Sequence, residues 1–289
     1  MTRLLITGAA GVVGSAVSHH FRRAYPACAL ADRESCDLES PAAVKRLVDA
    51  AEPEIVLHLA GNKDVFALEK DPQMAWRANV VTTQNLIGAL KGDAFVVYVS
   101  TDYVFEGTAG PYDEASPTHP NTAYGKSKLA AEACLRESGL AVAIARSAAL
   151  FGFPNDFVTV VRDSLGAGKP FPAFSDLVSN PTYVDDFAAM LSRIMERRLA
   201  GVFHLCGSEP LSREQFARRI AGAFGLDAGL IRGERRTERV RPPDLSLSNA
   251  ATCATLGYRP RSLEDALAAV RKGQPQPAVA SGASGPEAT

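Results

Sequence analysis

The chain has 289 residues, 46% apolar and 22% charged, with a formal net charge of −1. That composition suits a globular protein with a sizeable core, in one large domain or two modest ones. Near-neutral charge removes the bulk electrostatic case for nucleic acid or an anionic membrane. No apolar run approaches the ~20 residues of a spanning helix. Met1-Thr2-Arg3 leads straight into an apolar stretch without an extended leader, so a cytoplasmic location is expected. Cys28, Cys36, Cys134, Cys206 and Cys253 are scattered and form no C-x-x-C pair, which predicts reduced thiols and no metal site.

Leu4-Leu5-Ile6-Thr7 reads as a short buried strand. It runs into Gly8-Ala9-Ala10-Gly11-Val12-Val13-Gly14, a glycine turn that opens a helix. Strand, turn and helix together make a phosphate site, because the backbone comes close at glycine and unpaired N–H groups point at the anion. The G-x-x-G-x-x-G spacing is looser than the general dinucleotide fingerprint. Ala27–Ala31 predicts a second strand ending at Asp32, 18 residues beyond Gly14, where an acid can take ribose hydroxyls. Arg33 beside it can hold a 2′-phosphate instead, so NADH and NADPH both stay open. Asp37 and Leu38 are expected over the adenine.

Pro41–Ala51 predicts a helix, with proline near its start and Val44, Leu47 and Val48 on one face. Ile55–Gly61 predicts a strand whose end, Leu59-Ala60-Gly61, lets a cofactor lie against the backbone. His58 reads as a satisfied buried histidine, since no partner at metal spacing is near. Trp76–Leu90 predicts a helix, with Asn79 placed to pin a neighbouring loop. Phe95–Val99 is continuously apolar, as in a parallel strand covered on both faces. The alternation predicts an α/β fold with a doubly wound parallel sheet. Ligands of such sheets collect beyond the carboxyl ends of the strands, here Gly8–Val13, Asp32, Ala60-Gly61 and Ser100-Thr101. Residues 1–150 are expected to form the dinucleotide-binding domain. A smaller C-terminal substrate-binding region takes 151–272, with some segments returning to the first domain. Residues 273–289, rich in Gly, Pro, Ser and Ala, are expected to be a disordered tail.

The chemistry is expected at Thr101, Tyr124 and Lys128. Tyr124 and Lys128 are i and i+4 on a predicted helix and leave one face. A nearby ammonium favours the phenolate, so the pair can exchange a proton with a carbonyl or alcohol oxygen. The Thr101 hydroxyl, at a strand end, can bond the same oxygen.

Gly8-x-x-Gly11-x-x-Gly14, Thr101 and Tyr124-x-x-x-Lys128 resemble the extended, nucleotide-sugar branch of the short-chain dehydrogenase/reductases. Ser-Thr-Asp-Tyr-Val-Phe-x-Gly at 100–107 and Tyr-Gly-Lys-Ser-Lys-Leu at 124–129 are similar to the two signatures of the dTDP-4-dehydrorhamnose reductase family. Arg146-Ser147, Asn180-Pro181-Thr182, Gly201–Leu205 and Arg241-Pro242-Pro243 extend the likeness over about residues 3–272. The resemblance implies a Rossmann fold and reduction of a 4-keto nucleotide sugar by NADH or NADPH. It implies that Tyr124 donates the proton, Lys128 holds the nicotinamide ribose and Thr101 orients the carbonyl. The cofactor would lie against Gly8, Ala10, Gly11, Val12, Val13, Gly14, Asp32, Arg33, Asp37, Leu38, Leu59, Ala60, Gly61, Ser100, Tyr124 and Lys128. The sugar nucleotide would meet Thr101, Asp102, Tyr103, Val104, Tyr124 and Arg241, the last at its diphosphate. The Phe153–Phe174 region and a Leu211–Phe224 helix would supply the substrate lid. A homodimer is one option for assembly.

Two positions depart from that family's pattern: Ala149 replaces a common aromatic, and Asp244-Leu245-Ser246 replaces Asn-Ser. Both fall on the substrate side. The alternatives are an epimerase or dehydratase that retains its NAD, or a non-catalytic regulatory subunit like that of methionine adenosyltransferase. Dehydratases of this branch carry Asp-Glu after the threonine, where this chain has Asp102-Tyr103.

Overall fold

The structure, a computed structural model, describes residues 1–238 and 240–273. Six strands make the central sheet: β1 (Leu4–Thr7), β2 (Cys28–Ala31), β3 (Ile55–His58), β4 (Phe95–Thr101), β5 (Ala141–Ser147) and β6 (Gly201–Leu205). Their order is β6-β5-β4-β3-β1-β2, and every pairing is parallel. This is the doubly wound Rossmann arrangement. The strand order reverses between β1 and β3, so the crevice opens beyond their carboxyl ends.

The pleat sorts the strand residues to two faces. Leu4, Ile6, Ile55, Leu57, Phe95, Val97, Ala143 and Ala145 meet the Val12–Ala24 and Val184–Glu196 helices through Val17, Phe21, Phe187, Leu191 and Ile194. Leu5, Val56, Val96 and Tyr98 meet Val44, Val48, Leu86, Ala131 and Leu135 of the Pro41–Ala51, Thr82–Ala89 and Ala123–Glu137 helices. Both faces are apolar, which explains the continuous apolar strands.

The predicted Trp76–Leu90 helix is more elaborate. Short helices Val65–Lys70 and Pro72–Trp76 lead through a π-turn at Arg77–Val81 into Thr82–Ala89. Asp64 and Asp71 start the first two by accepting from Ala67 N and Met74 N. The extra residue of the π-turn aims the buried Asn79 at Asn62 and Ser127.

β6 and the Val184–Glu196 helix belong to the main sheet although they lie in the chain's second half. Around them, Phe157–Gly166, Arg213–Phe224 and Leu263–Gly273 build a second cluster on Phe151, Val158, Val161, Phe216, Ile220 and Leu267. The predicted Leu211–Phe224 helix starts at Arg213. Leu211–Ser212 instead pairs antiparallel with Val178–Ser179, and Ser212 caps the helix in a reciprocal box with Gln215. The Leu263–Gly273 helix takes in Gly273, the first residue of the expected tail, and 274–289 lie outside the described residues. No helix among the described residues is long and apolar enough to cross a membrane. All five cysteines are free thiols.

Candidate active site

Parallel register brings the turn residues together. Thr7 aligns with Ala31 and with His58, so Gly8, Asp32 and Leu59 leave three neighbouring strands side by side. Gly8 has φ +73°, and a Cβ there would lie 2.6 Å from Ala60 N. A Cβ on Gly14 would run into the Gly8 carbonyl oxygen. Both positions require glycine for close backbone approach. Gly11 starts the helix without a side-chain cap, and Ala10, Gly11 and Val12 are exposed. Gly11 N donates to the Gly8 carbonyl (3.0 Å), and the N–H groups of Ala10 and Val12 form an open anion cradle, which suits the pyrophosphate of a dinucleotide.

At the β2 end, Asp32 Oδ1 accepts from Glu34 N (3.1 Å), Ser35 N (2.8 Å) and Ser35 Oγ (2.9 Å). These bonds, with the Ser35 backbone foremost, hold its carboxyl below the usual range. Arg33 is exposed next to it. Asp37 Oδ1 accepts from Glu39 N, and Leu38 is held through its carbonyl by Asn85. His58 lies between Thr7 Oγ1 (2.6 Å) and Thr83 Oγ1 (3.0 Å), and burial pushes it down to about 3, so it is a neutral core residue.

Asn79 Oδ1 accepts from Asn62 N (2.9 Å), and its Nδ2 donates to Ser127 Oγ (2.8 Å), whose hydroxyl donates to the Tyr124 carbonyl. One amide thus pins the Gly61 loop to the Ala123–Glu137 helix. Thr122 caps that helix through Gly125 N, and Glu69 accepts from Ala123 N. Tyr124 and Lys128 therefore stand on a fixed helix start beside Gly61. Lys128 Nζ donates to the Val99 carbonyl (2.8 Å) and lies 4.0 Å from the Tyr98 ring centroid. Burial pushes its ammonium down to about 7, against the opposing influence of Glu132.

The expected lowering of the Tyr124 phenol by Lys128 is not seen. Burial pushes the phenol up to about 12, opposed by a hydrogen bond with Thr101 and reinforced by Asp102. The ammonium is turned to Val99 O and the Tyr98 ring. A neutral phenol is the correct state for a proton donor.

On the substrate side, Thr101 Oγ1 donates to Asp102 Oδ1 (2.9 Å) and accepts from Tyr103 N (3.3 Å). The Tyr103 and Tyr124 rings sit edge to face, 5.4 Å apart. Two expected residues point elsewhere. Val104 is fully buried with Phe105, Leu245 and Leu247. Ser100 Oγ donates to Glu132 (2.6 Å) inside the core, where Glu132 also pairs with Arg146 (2.9 Å), so its side chain is absent from the crevice. Arg241 is half-buried, pairs with Glu238 (2.8 Å), and lies between the Phe66 and Phe174 rings at 5.3 and 5.1 Å.

The sequence reading missed Ser179, whose hydroxyl donates to Asp102 Oδ2 (3.1 Å), and Arg213, stacked on Phe157 and close enough to act on Asp102 and Tyr103. Ser179 directly precedes the Asn180-Pro181-Thr182 motif, a usable signal; Arg213 has none. A separate cavity of ≈ 300 Å³ is lined by Phe151, Tyr183, Asp186, Arg259 and Arg261. Its Asp186 is consumed by Tyr258 (2.6 Å) and Arg261 (2.9 Å) and holds the chain together there. Among the described residues no group of three His, Cys, Asp or Glu side chains could hold a metal ion.

A parallel doubly wound sheet, an uncapped glycine turn and a Thr, Tyr and Lys gathered at the strand ends define an extended short-chain dehydrogenase/reductase. More specifically, the family described as "RmlD substrate binding domain" matches residues 1–274, and the chain belongs to it. It is 30% identical to dTDP-4-dehydrorhamnose reductase of Mycolicibacterium smegmatis, over 93% of this chain and 86% of that protein. It is 32% identical to methionine adenosyltransferase 2 subunit beta of Xenopus laevis, over 80% and 74%. A solved dTDP-4-dehydrorhamnose reductase from Bacillus anthracis, in complex with NADP, superposes with a TM-score of 0.88 at 25% identity, covering 95% and 100% of the two chains.

Proposed function

We propose that this protein reduces a 4-keto nucleotide sugar with NADH or NADPH. The observation that carries the reading is the convergence of Thr101, Tyr124 and Lys128 beside the open Gly8–Gly14 cradle. When bound, the nicotinamide cofactor supplies a hydride. Its pyrophosphate fits the N–H groups at Val12 and Val13, and its ribose hydroxyls fit Lys128, whose Nζ lies beside Gly61. The exposed Arg33, with Asp32 Oδ1 already engaged in its own turn, supports acceptance of a 2′-phosphate. Tyr124 gives its proton to the sugar oxygen; as a neutral phenol it is a stronger acid than the alcohol formed. Tyr103 provides an aromatic wall for the sugar. Arg241, between Phe66 and Phe174, provides a cation for the diphosphate. Residues 151–272, apart from β6 and the Val184–Glu196 helix, serve the substrate.

The test is oxidation of NADH and NADPH over a panel of 4-keto nucleotide sugars. Turnover with one or more of them is expected. Retention of cofactor with no net oxidation would instead support an epimerase or dehydratase. The 32% identity to methionine adenosyltransferase 2 subunit beta supports a second reading, a non-catalytic partner chain. Copurification with a larger enzyme and no turnover on any keto sugar would support it.

A further inference from the structure

The Ala123–Glu137 helix meets the central sheet in two different ways. Toward its carboxyl end the contact is apolar, with Ala131 and Leu135 packed in one cluster with Val96 and Tyr98. At the last residues of β4 before Thr101 it becomes directional. Lys128 Nζ donates to the Val99 carbonyl (2.8 Å), and one turn further along the helix Glu132 accepts from Ser100 Oγ (2.6 Å). Tyr124, Lys128 and Glu132 are i, i+4 and i+8, so one helix face carries the phenol, the ammonium and the carboxylate.

The Glu132 carboxylate is fully buried and both of its oxygens are engaged. Besides Ser100, Oε1 accepts from Arg146 Nε (3.1 Å), and Oε2 accepts from Arg146 Nη2 (2.9 Å) and Arg136 Nη2 (2.8 Å). Ser100 and Arg146 are direct partners in the parallel β4–β5 register, so the pleat presents both donors on one face. Arg146 also lies 5.1 Å from the Phe105 ring, just past the turn that carries Tyr103. One side chain of the helix therefore holds the ends of two strands and, through Arg146, the turn beyond Thr101. A buried ion pair is weak support for stability, because apolar side chains of similar volume fill such a space as well. Its directional bonds do what an apolar contact cannot: they fix the register of helix against strand.

We propose that Glu132 is a positioning residue of the reaction, a bolt that sets the helix bearing Tyr124 and Lys128 against the strand that ends in Thr101. The proposal rests on the reductase reading above. A slip of this helix along β4 moves the Tyr124 phenol relative to the Thr101 hydroxyl and the nicotinamide, and misplacement by about 1 Å can cost about 10²-fold in rate. The Gly8–Gly14 turn belongs to β1 and the Val12–Ala24 helix and is untouched by such a slip. The loss therefore falls on kcat rather than on cofactor affinity.

Three variants test this. Ser100→Ala removes the bond between helix and strand and leaves both arginines on the carboxylate. It should lower kcat about tenfold, while calorimetry still finds one nicotinamide dinucleotide per chain at an affinity within about twofold of wild type. Retained stoichiometry shows that the lost turnover is not unfolded protein. Ser100→Thr returns the hydroxyl and should recover kcat. Arg136→Ala is the control. It removes a bond to the same carboxylate from a half-exposed side chain of the helix itself, so it should leave kcat within about twofold of wild type. Wild-type kcat in Ser100→Ala overturns the proposal, as does an equal loss in Arg136→Ala or a loss confined to cofactor affinity. Each of these leaves the reductase reading standing. Failure of every keto sugar to react with the wild type overturns both.

Discussion

The two sides of the crevice are built by different means. The cofactor side is backbone: three parallel strands in register, a glycine turn pressed on Ala60, and N–H groups left open at Val12 and Val13. The substrate side is side chains gathered from distant segments. Ser179 reaches Asp102 across 77 positions, Asn180 clasps Leu247 across 67, and Arg241 stands between Phe66 and Phe174. Backbone sites tolerate little change and serve one ligand class, whereas a side-chain wall can be rebuilt for a new sugar without disturbing the hydride chemistry.

The strongest way to separate the two sides is Tyr124→Phe, which should lower turnover by about 10²–10⁴-fold while cofactor affinity stays within about twofold. Stopped-flow turnover and calorimetric titration of cofactor check it. Next in size is Glu132→Ala. It leaves Arg146 buried without its partner and should destabilise the fold by ~3–5 kcal/mol in denaturant unfolding. Burial raises the Glu132 carboxyl, but Arg146, Ser100 and Arg136 outweigh burial and hold it below the ordinary value. Its stabilisation is therefore full above the unfolded carboxylate range, at about pH 4.3, and is lost as pH falls further. Stability of the wild type should drop in that acid window, and Glu132→Gln should flatten the drop. Gly14→Ala should cost ~1–3 kcal/mol and weaken cofactor binding, because its Cβ meets the Gly8 carbonyl. The smallest effect belongs to the rebuilt wall: Arg241→Ala should raise KM for the nucleotide sugar about tenfold and leave KM for cofactor unchanged. An equal change in both would erase the distinction drawn here.

The same contrast explains what was readable from the sequence. Gly8, Gly14, Asp32, Tyr124 and Lys128 carry local signals, because a turn, a strand end or one helical face fixes each of them. Pro41–Ala51 was readable to its ends, since Ser40 caps it and Pro41 occupies its first turn. The Trp76–Leu90 stretch hid its π-turn because periodicity does not register one inserted residue. Ser100 is placed at the crevice by its strand end and Val104 by the family resemblance, but the pleat turns Ser100 to Glu132 and Val104 joins a core made by Leu245 and Leu247. The Lys128 effect on Tyr124 failed for a related reason. Sharing a helix face does not decide which group an ammonium selects, and Lys128 Nζ donates to Val99 O at 2.8 Å. Ser179 and Arg213 depend on pairing between residues far apart in sequence, which no short motif records.

The central claim is net hydride transfer at this crevice. The direct measurement uses nicotinamide cofactor deuterated at the transferable position, a 4-keto nucleotide sugar and mass spectrometry of the sugar product. The account predicts one deuterium on the carbinol carbon and one equivalent of oxidised cofactor per product. Product formed without label or without cofactor oxidation, or no product from any sugar of the panel, would contradict it.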